Sequence, residues 1–246
     1  YPINDSYRSK HNMLRITNHF LGYLVFVTGF MCLASGLTTL SVLDFFGLEG
    51  APSSEVAAFL NKNGLVLQVS LMMALVGYLI AVPMMLIITH VTFQGETRPG
   101  WGRNFAVGLV WASLPLRPLW WAALITLMPT LLAASQLGAE PEITKVTFTT
   151  YQMLYTVLNT ATEDIAVNIF GGGWFVMVAL RIVSSRSLPV SMGWIGGAIG
   201  FLYLVSSAEL FGFSMGTSGN IIPLIAGVAG PFWLGAVGIL AVRKIT

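Results

Sequence analysis

The chain has 246 residues, of which 55% are hydrophobic and only 9% are charged. Soluble domains carry about 25% charged residues, so this composition excludes an ordinary soluble protein and indicates that a bilayer solvates much of the chain. The net charge of +2, without a long basic run, argues against nucleic acid as a partner.

The first apolar segment runs from about His19 to Leu43. A helix needs about 20 residues to cross a 30 Å hydrocarbon core, and this segment is long enough. It exceeds the apolar region of a signal peptide, and no small-residue cleavage site closes it. Cys32, the single cysteine, is interpreted as a small buried hydrophobe. The chain begins at Tyr1, which leaves open whether residues precede it.

A second apolar segment covers about Gly64 to Thr92. Before it, the stretch Ser53 to Asn61 begins with Ser-Ser-Glu, which is typical of a helix N-terminus, and predicts a short amphipathic helix. The third segment, about residues 104–136, is interrupted by prolines on both sides of Arg117. Either one kinked helix uses the whole stretch, or its first part lies along the interface and residues 119–137 cross alone.

Three tryptophans in this third segment are candidate interface anchors: Trp111, Trp120 and Trp121. The stretch from Glu142 to Thr162 is rich in Thr, Tyr and Asn. It is interpreted as a polar helix on the outer mouth of the bundle or as an extension of the fourth span. The last three spans are expected over Ile165–Val183, Leu188–Phe213 and Ile221–Val242.

The basic residues give these six spans an orientation. With the N-terminus inside, nine fall in cytoplasmic segments, namely Arg8, Lys10, Arg15, Arg98, Arg103, Arg181, Arg186, Arg243 and Lys244. Only Lys62 and Lys145 fall outside. Positive charge is enriched on the cytoplasmic side of membrane proteins. The sequence therefore predicts an all-α, polytopic bundle of six spans with both termini inside.

Ionisable residues at membrane depth are functional candidates, because an unpaired charge there costs about 2.5 to 3.5 kcal/mol or more. Arg117 is interpreted as an anion clamp, a structural ion pair or an interfacial side chain that reaches headgroups. Glu163 and Asp164 precede the fourth span, where the helix dipole suffices to explain them, although a cation or proton site is open. Adjacent helical residues point about 100° apart. Glu209, after two serines, is a further candidate.

His19 and His90 are both expected near the cytoplasmic interface. They are weak candidates for a metal, haem or pigment site, because two histidines without a third ligand form no metal motif. Gly193, Gly196, Gly197 and Gly200 form a small-residue stripe that favours close helix packing, within the bundle or between subunits. The Gly171-Gly172-Gly173 run is expected to loosen its span or to admit a ligand near the backbone.

The C-terminal half resembles a family of bacterial six-helix membrane proteins of unknown function. The residues that carry the resemblance are Arg186-Ser187-Leu188-Pro189, Gly193-Trp194-Ile195-Gly196-Gly197, Leu202-Tyr203-Leu204 and Gly230-Pro231-Phe232-Trp233-Leu234-Gly235, with Arg117 in the third span. The resemblance implies a six-helix bundle in the bacterial inner membrane and no known reaction.

Three functions are consistent with the sequence. Glycine stripes, short loops and the lack of catalytic or nucleotide-binding motifs favour a non-catalytic accessory or structural subunit that packs against other membrane proteins, lipids or pigments. The first alternative is a small transporter or channel-like protein with a polar site around Arg117 and Glu209 or Asp164. The second is a haem- or metal-binding redox protein that uses His19 and His90. No cofactor is identified, and enzymatic activity is not favoured.

Overall fold

The computed structural model describes Val27 and residues 53–94, 100–136, 141–213 and 218–245. Every regular element in these ranges is helical. Three helical stretches are long and apolar enough to cross a membrane: Ala58–Thr92, Lys145–Ser185 and Ile221–Ala241. The all-helical class and the presence of apolar helices of membrane-spanning length are thereby confirmed, whereas the count of six spans stays a prediction. Apart from Val27, the first predicted span, with Cys32, lies outside the described residues.

The described helices are α1 (Ser53–Thr92), α2 (Trp101–Ser113), α3 (Arg117–Gln136), α4 (Pro141–Asn159), α5 (Gly172–Ser185), α6 (Val190–Ser206) and α7 (Ser218–Ile245). A π-helical stretch, Thr160–Gly171, joins α4 to α5 and is called the π segment below. A 3₁₀ turn, Ser207–Phe211, follows α6.

Helix α1 has 40 residues and is therefore about 60 Å long, roughly twice the thickness of a hydrocarbon core. The predicted short helix Ser53–Asn61 is helical, but it forms the first turns of α1 and is not a separate element. Helix α4, the π segment and α5 likewise follow one another without a break. The stretch Glu142–Thr162 is therefore continuous with the helix that follows it, and its place relative to a membrane stays a prediction.

The third predicted span is divided into α2 and α3 by a break at Leu114–Leu116. Pro115 lies in the break and Pro118 in the first turn of α3. Each proline lacks the amide hydrogen and crowds the preceding turn, which favours a helix end here. The prediction that Trp120 and Trp121 anchor the protein at the interface is wrong, since they are only 2% and 1% exposed. Helix α3 lies between α1 and α4, so both indoles are covered.

The buried apolar side chains form two cores. The main core unites the second half of α1 with α2, α5, α6 and α7, and includes Met84, Trp174 and Trp233. The second core unites the first half of α1 with α3 and α4, and includes Trp120 and Tyr155, whose rings pack edge-to-face with centroids 4.4 Å apart. The long helix α1 therefore connects the two cores.

Helices α5 and α6 form a close antiparallel pair whose contact is built on glycine. A Cβ atom at Gly200 would lie 2.7 Å from Phe175 Cβ and 2.9 Å from the Gly172 carbonyl oxygen. A Cβ at Gly193 would lie 2.7 Å from a methyl group of Val183. On the other side, a Cβ at Gly196 would lie 2.5 Å from the indole of Trp233 in α7. The glycines of α6 are thus used for packing inside this chain.

The turn between α5 and α6 depends on Arg186, which has a left-handed backbone with φ of 51°. Its amide hydrogen closes the end of α5 on the Ile182 carbonyl oxygen over 2.9 Å. A side chain in this conformation costs about 1–2 kcal/mol, while glycine adopts it freely. We expect Arg186→Gly to raise the free energy of unfolding by about 0.5–1 kcal/mol.

The measurement is SDS-induced unfolding of the purified protein in detergent micelles. Ser184→Gly is the matched control, because Ser184 lies in helix α5 and glycine there is expected to destabilise by about 0.5–1 kcal/mol. If both glycine variants are destabilised equally, the left-handed turn contributes no strain.

Candidate functional site: a polar cavity between the two cores

A cavity of about 50 Å³ lies among the helices that meet at the middle of α1. Its polar lining consists of Arg117, Tyr78 and Tyr203, and its remaining wall is apolar or glycine: Gly77, Ala81, Met85, Val167, Gly171, Phe175, Gly227, Pro231 and Leu234. A buried water needs about 10–15 Å³ measured in this way. The cavity therefore has room for a few water molecules or a small solute.

Arg117 is the first residue of α3 and is only 6% exposed. Its Nε atom donates a hydrogen bond to Ser113 Oγ over 3.0 Å, across the break between α2 and α3. A Cβ atom at Gly171 would lie 3.0 Å from Arg117 Nη2. Of the sequence-based interpretations, the exposed interfacial side chain is therefore wrong: the guanidinium group is buried against the π segment, and Gly171 leaves space for it.

Glu163 projects from the π segment towards α1. The Tyr78 hydroxyl donates a hydrogen bond to Glu163 Oε1 over 3.0 Å. Tyr78 packs against both cores, and its ring lies on Trp121 with centroids 5.1 Å apart. Arg117 is close enough to act on Glu163 through its charge. The residues of the site thus come together where the two cores meet.

The π segment is tied to the break between α2 and α3. Thr162 Oγ1 donates to the Leu116 carbonyl oxygen over 2.9 Å, and the same oxygen accepts from the Leu119 amide over 3.2 Å. Asp164 accepts a hydrogen bond from Asn168 Nδ2 over 3.3 Å. Glu163 and Asp164 therefore have different partners, as their adjacent positions predict. π-Helical turns are rare in proteins, but those that occur are often found at functional sites.

No protein-family model, curated protein or solved structure matches the chain. The resemblance of the C-terminal half to six-helix bacterial membrane proteins stays a prediction. The candidate site therefore rests on its own geometry.

Among the other predicted site residues, His90 does not line this cavity. His90 is exposed at the last turn of α1, and His19 lies outside the described residues. Glu209 belongs to the 3₁₀ turn, but its side chain is also outside the described set. Within the described ranges, no group of three or more His, Cys, Asp or Glu residues could hold a metal ion.

Two tyrosines of the site, Tyr78 and Tyr203, were not identified from the sequence. A signal was present, because a phenol hydroxyl inside a long apolar run needs a hydrogen-bond partner when it is buried. Both tyrosines stand in such runs, Val76-Gly77-Tyr78-Leu79-Ile80 and Phe201-Leu202-Tyr203-Leu204. Mid-helix tyrosines were therefore the available indication of a polar site.

Proposed function

We propose that this chain is a small membrane transport protein whose solute site is the cavity lined by Arg117 and Tyr78, with Glu163 bonded to Tyr78 beside it. The observation that carries the proposal is a buried guanidinium beside a carboxyl group and a cavity, inside a bundle with membrane-type helices. Ionisable side chains at membrane depth face the bundle interior and mark solute or ion pathways.

The glycine stripe supports the same choice over an accessory subunit. Gly193, Gly196 and Gly200 are buried against α5 and α7 of the same chain, so the stripe offers no smooth surface for another protein. The strongest sequence argument for a partner-binding role is thereby explained by internal packing. Transport is therefore the better supported of the two functions.

The charge distribution at the two ends of the bundle supports the predicted orientation. Arg181 of α5 lies against the end of α1. Its Nε donates to the Thr92 carbonyl oxygen over 3.3 Å, and its guanidinium stacks over Phe93 at 5.4 Å. Lys62 and Lys145 are exposed and belong to the ends of α1 and α4 that frame the second core. Six spans, both termini in the cytoplasm and a bacterial inner membrane are parts of this proposal.

Solute flux into liposomes that contain the purified protein tests the proposed transport function. Formate, urea and glycerol are supplied in turn, and their uptake is followed by stopped-flow light scattering. We expect the wild-type protein to pass at least one of them faster than protein-free liposomes. Arg117→Ala removes hydrogen bonds from a charged donor, which are worth about 1.5–3 kcal/mol, so we expect this flux to fall by about tenfold to hundredfold.

Arg103→Ala is the matched control, because Arg103 lies in α2 and does not line the cavity. Its flux should stay within about twofold of the wild type. Arg117→Lys keeps the charge but loses the planar fork, and it shows whether charge alone suffices. Wild-type rates equal to those of empty liposomes for all three solutes would contradict the transport function.

A further inference from the structure

The Tyr78 hydroxyl stands between the cavity and the Glu163 carboxyl group. Tyr78 lines the cavity, and its hydroxyl donates to Glu163 Oε1 over 3.0 Å. The two residues are 85 positions apart and belong to α1 and the π segment. A hydroxyl group both donates and accepts hydrogen bonds. This pair therefore forms a two-step path from the cavity to a buried carboxyl group.

Glu163 and the charged groups around it together have a net negative charge that one bound proton would neutralise. Arg117 from α3 and Asp164 from the π segment both act on Glu163 through their charges, while Tyr78 from α1 and Tyr203 from α6 face it as phenols. The 3₁₀ turn that carries Glu209 also lies against the π segment. Among the described side chains at this site, two carboxyl groups thus accompany one guanidinium. A proton on one carboxyl group makes these three groups neutral together.

Glu163 is the better carrier of that proton, because its partner suits both protonation states. When Glu163 is ionised, the Tyr78 hydroxyl donates to it; when Glu163 is protonated, the carboxyl O–H donates to the same hydroxyl oxygen. Asp164 bonds Asn168 of its own π segment, whereas Glu163 bonds the tyrosine that lines the cavity. Glu163 is therefore the carboxyl group connected to the cavity.

We propose that Glu163 is the proton carrier of the cavity and that Tyr78 passes the proton to it, which makes transport proton-coupled; this rests on the proposed transport function. On uptake, a hydronium ion in the cavity gives a proton to the Tyr78 oxygen. At the same time, the original phenol proton moves to Glu163 Oε1. One O–H bond forms at each acceptor as one breaks at each donor, and the phenol stays neutral. Release is the reverse.

Infrared difference spectroscopy tests proton binding without any flux. Spectra of the purified protein are compared between acidic and alkaline buffers. We expect a C=O band of a protonated carboxyl group that is absent in Glu163→Gln. The band should shift in Tyr78→Phe, which keeps the ring but removes the hydroxyl. Glu55→Gln, at an exposed position in the first turn of α1, should retain it. A wild-type spectrum in which Glu163→Gln removes no band would overturn the inference.

Proton movement is measured in liposomes loaded with a pH-sensitive dye, with formate, urea and glycerol supplied in turn. We expect wild-type protein to carry protons inward with its solute, and Glu163→Gln to reduce this by roughly hundredfold, the low end for a positioned proton-transfer group. Glu55→Gln should leave it unchanged. Solute flux that is independent of pH, or that requires sodium ions instead, would overturn proton coupling and leave the transport function standing. If the infrared band of protonated Glu163 is observed but no solute flux is found, proton binding is supported and transport is refuted.

Discussion

Trp174→Ala is expected to lower the free energy of unfolding by about 3–5 kcal/mol, the range for removing a fully buried large aromatic side chain. Trp174 is 0% exposed in the main core. Its ring packs edge-to-face on Phe175 and Trp233, with centroids 5.2 and 6.2 Å away. The substitution leaves a cavity that neighbouring helices cannot close without losing their own contacts.

The loss also includes a hydrogen bond between α5 and α1. Trp174 Nε1 donates to Thr89 Oγ1 over 2.8 Å, and the Thr89 hydroxyl donates in turn to the Met85 carbonyl oxygen over 2.7 Å. Trp174→Phe retains most of the ring but not this bond. We expect it to destabilise by about 0.5–1.5 kcal/mol from the hydrogen bond, plus a smaller contribution from lost volume.

SDS-induced unfolding in detergent micelles, followed by tryptophan fluorescence and circular dichroism, measures both variants. Trp194→Ala is the matched control, because Trp194 is 69% exposed on α6. Its effect in micelles should stay within about 0.5 kcal/mol. Equal destabilisation by Trp174→Ala and Trp194→Ala would contradict the burial of Trp174 in the main core.

The second large effect is expected at Gly200, in the contact between α5 and α6. An added methyl group would meet Phe175 Cβ, the Gly172 carbonyl oxygen and the Val176 nitrogen at 2.7–2.9 Å. Two of these atoms belong to the backbone, so the helices themselves must separate. Overpacking of this kind costs about 1–3 kcal/mol, and we expect Gly200→Ala to fall in that range.

Gly197→Ala is the control for Gly200→Ala, one turn away on the same helix. A Cβ atom there would lie 3.5 Å from Ala179 Cβ, which is an ordinary van der Waals distance. Alanine also favours a helix by about 1 kcal/mol over glycine, so Gly197→Ala should be neutral or stabilising. The same unfolding assay separates the two variants. A Gly200→Ala protein as stable as wild type would refute the close crossing of α5 and α6.

These two predictions could not have been made from the sequence. The glycine stripe indicated close packing by its spacing, but all four glycines carried equal weight. The structure separates them, since an added Cβ is excluded at Gly200 and accommodated at Gly197. Trp174 was one of seven tryptophans, and Trp120 and Trp121 were assigned to the interface although they are buried. Spacing along a helix does not say which neighbour stands opposite.

The candidate site, too, could be predicted from the sequence only in part. Arg117 and Glu163 could be identified from the sequence because charged groups are costly in an apolar segment wherever the segment packs. Their surroundings could not, because Tyr78 and Glu163 are 85 residues apart in the chain. The π segment was also invisible, since it changes the hydrogen-bond register without an evident change in composition.

The sequence by itself determined that the chain is helical and built for an apolar solvent. In such surroundings the backbone must satisfy its own hydrogen bonds, and long apolar runs therefore specify helices whatever they pack against. Only the tertiary structure decided where helices continue or break, as in the uninterrupted run from α4 to α5 and the division at Leu114–Leu116. It also decided that Arg117 and Tyr78 line one cavity and that Glu163 accepts a hydrogen bond from Tyr78. Such contacts depend on the rotation and axial position of each helix, which are fixed by packing against its neighbours.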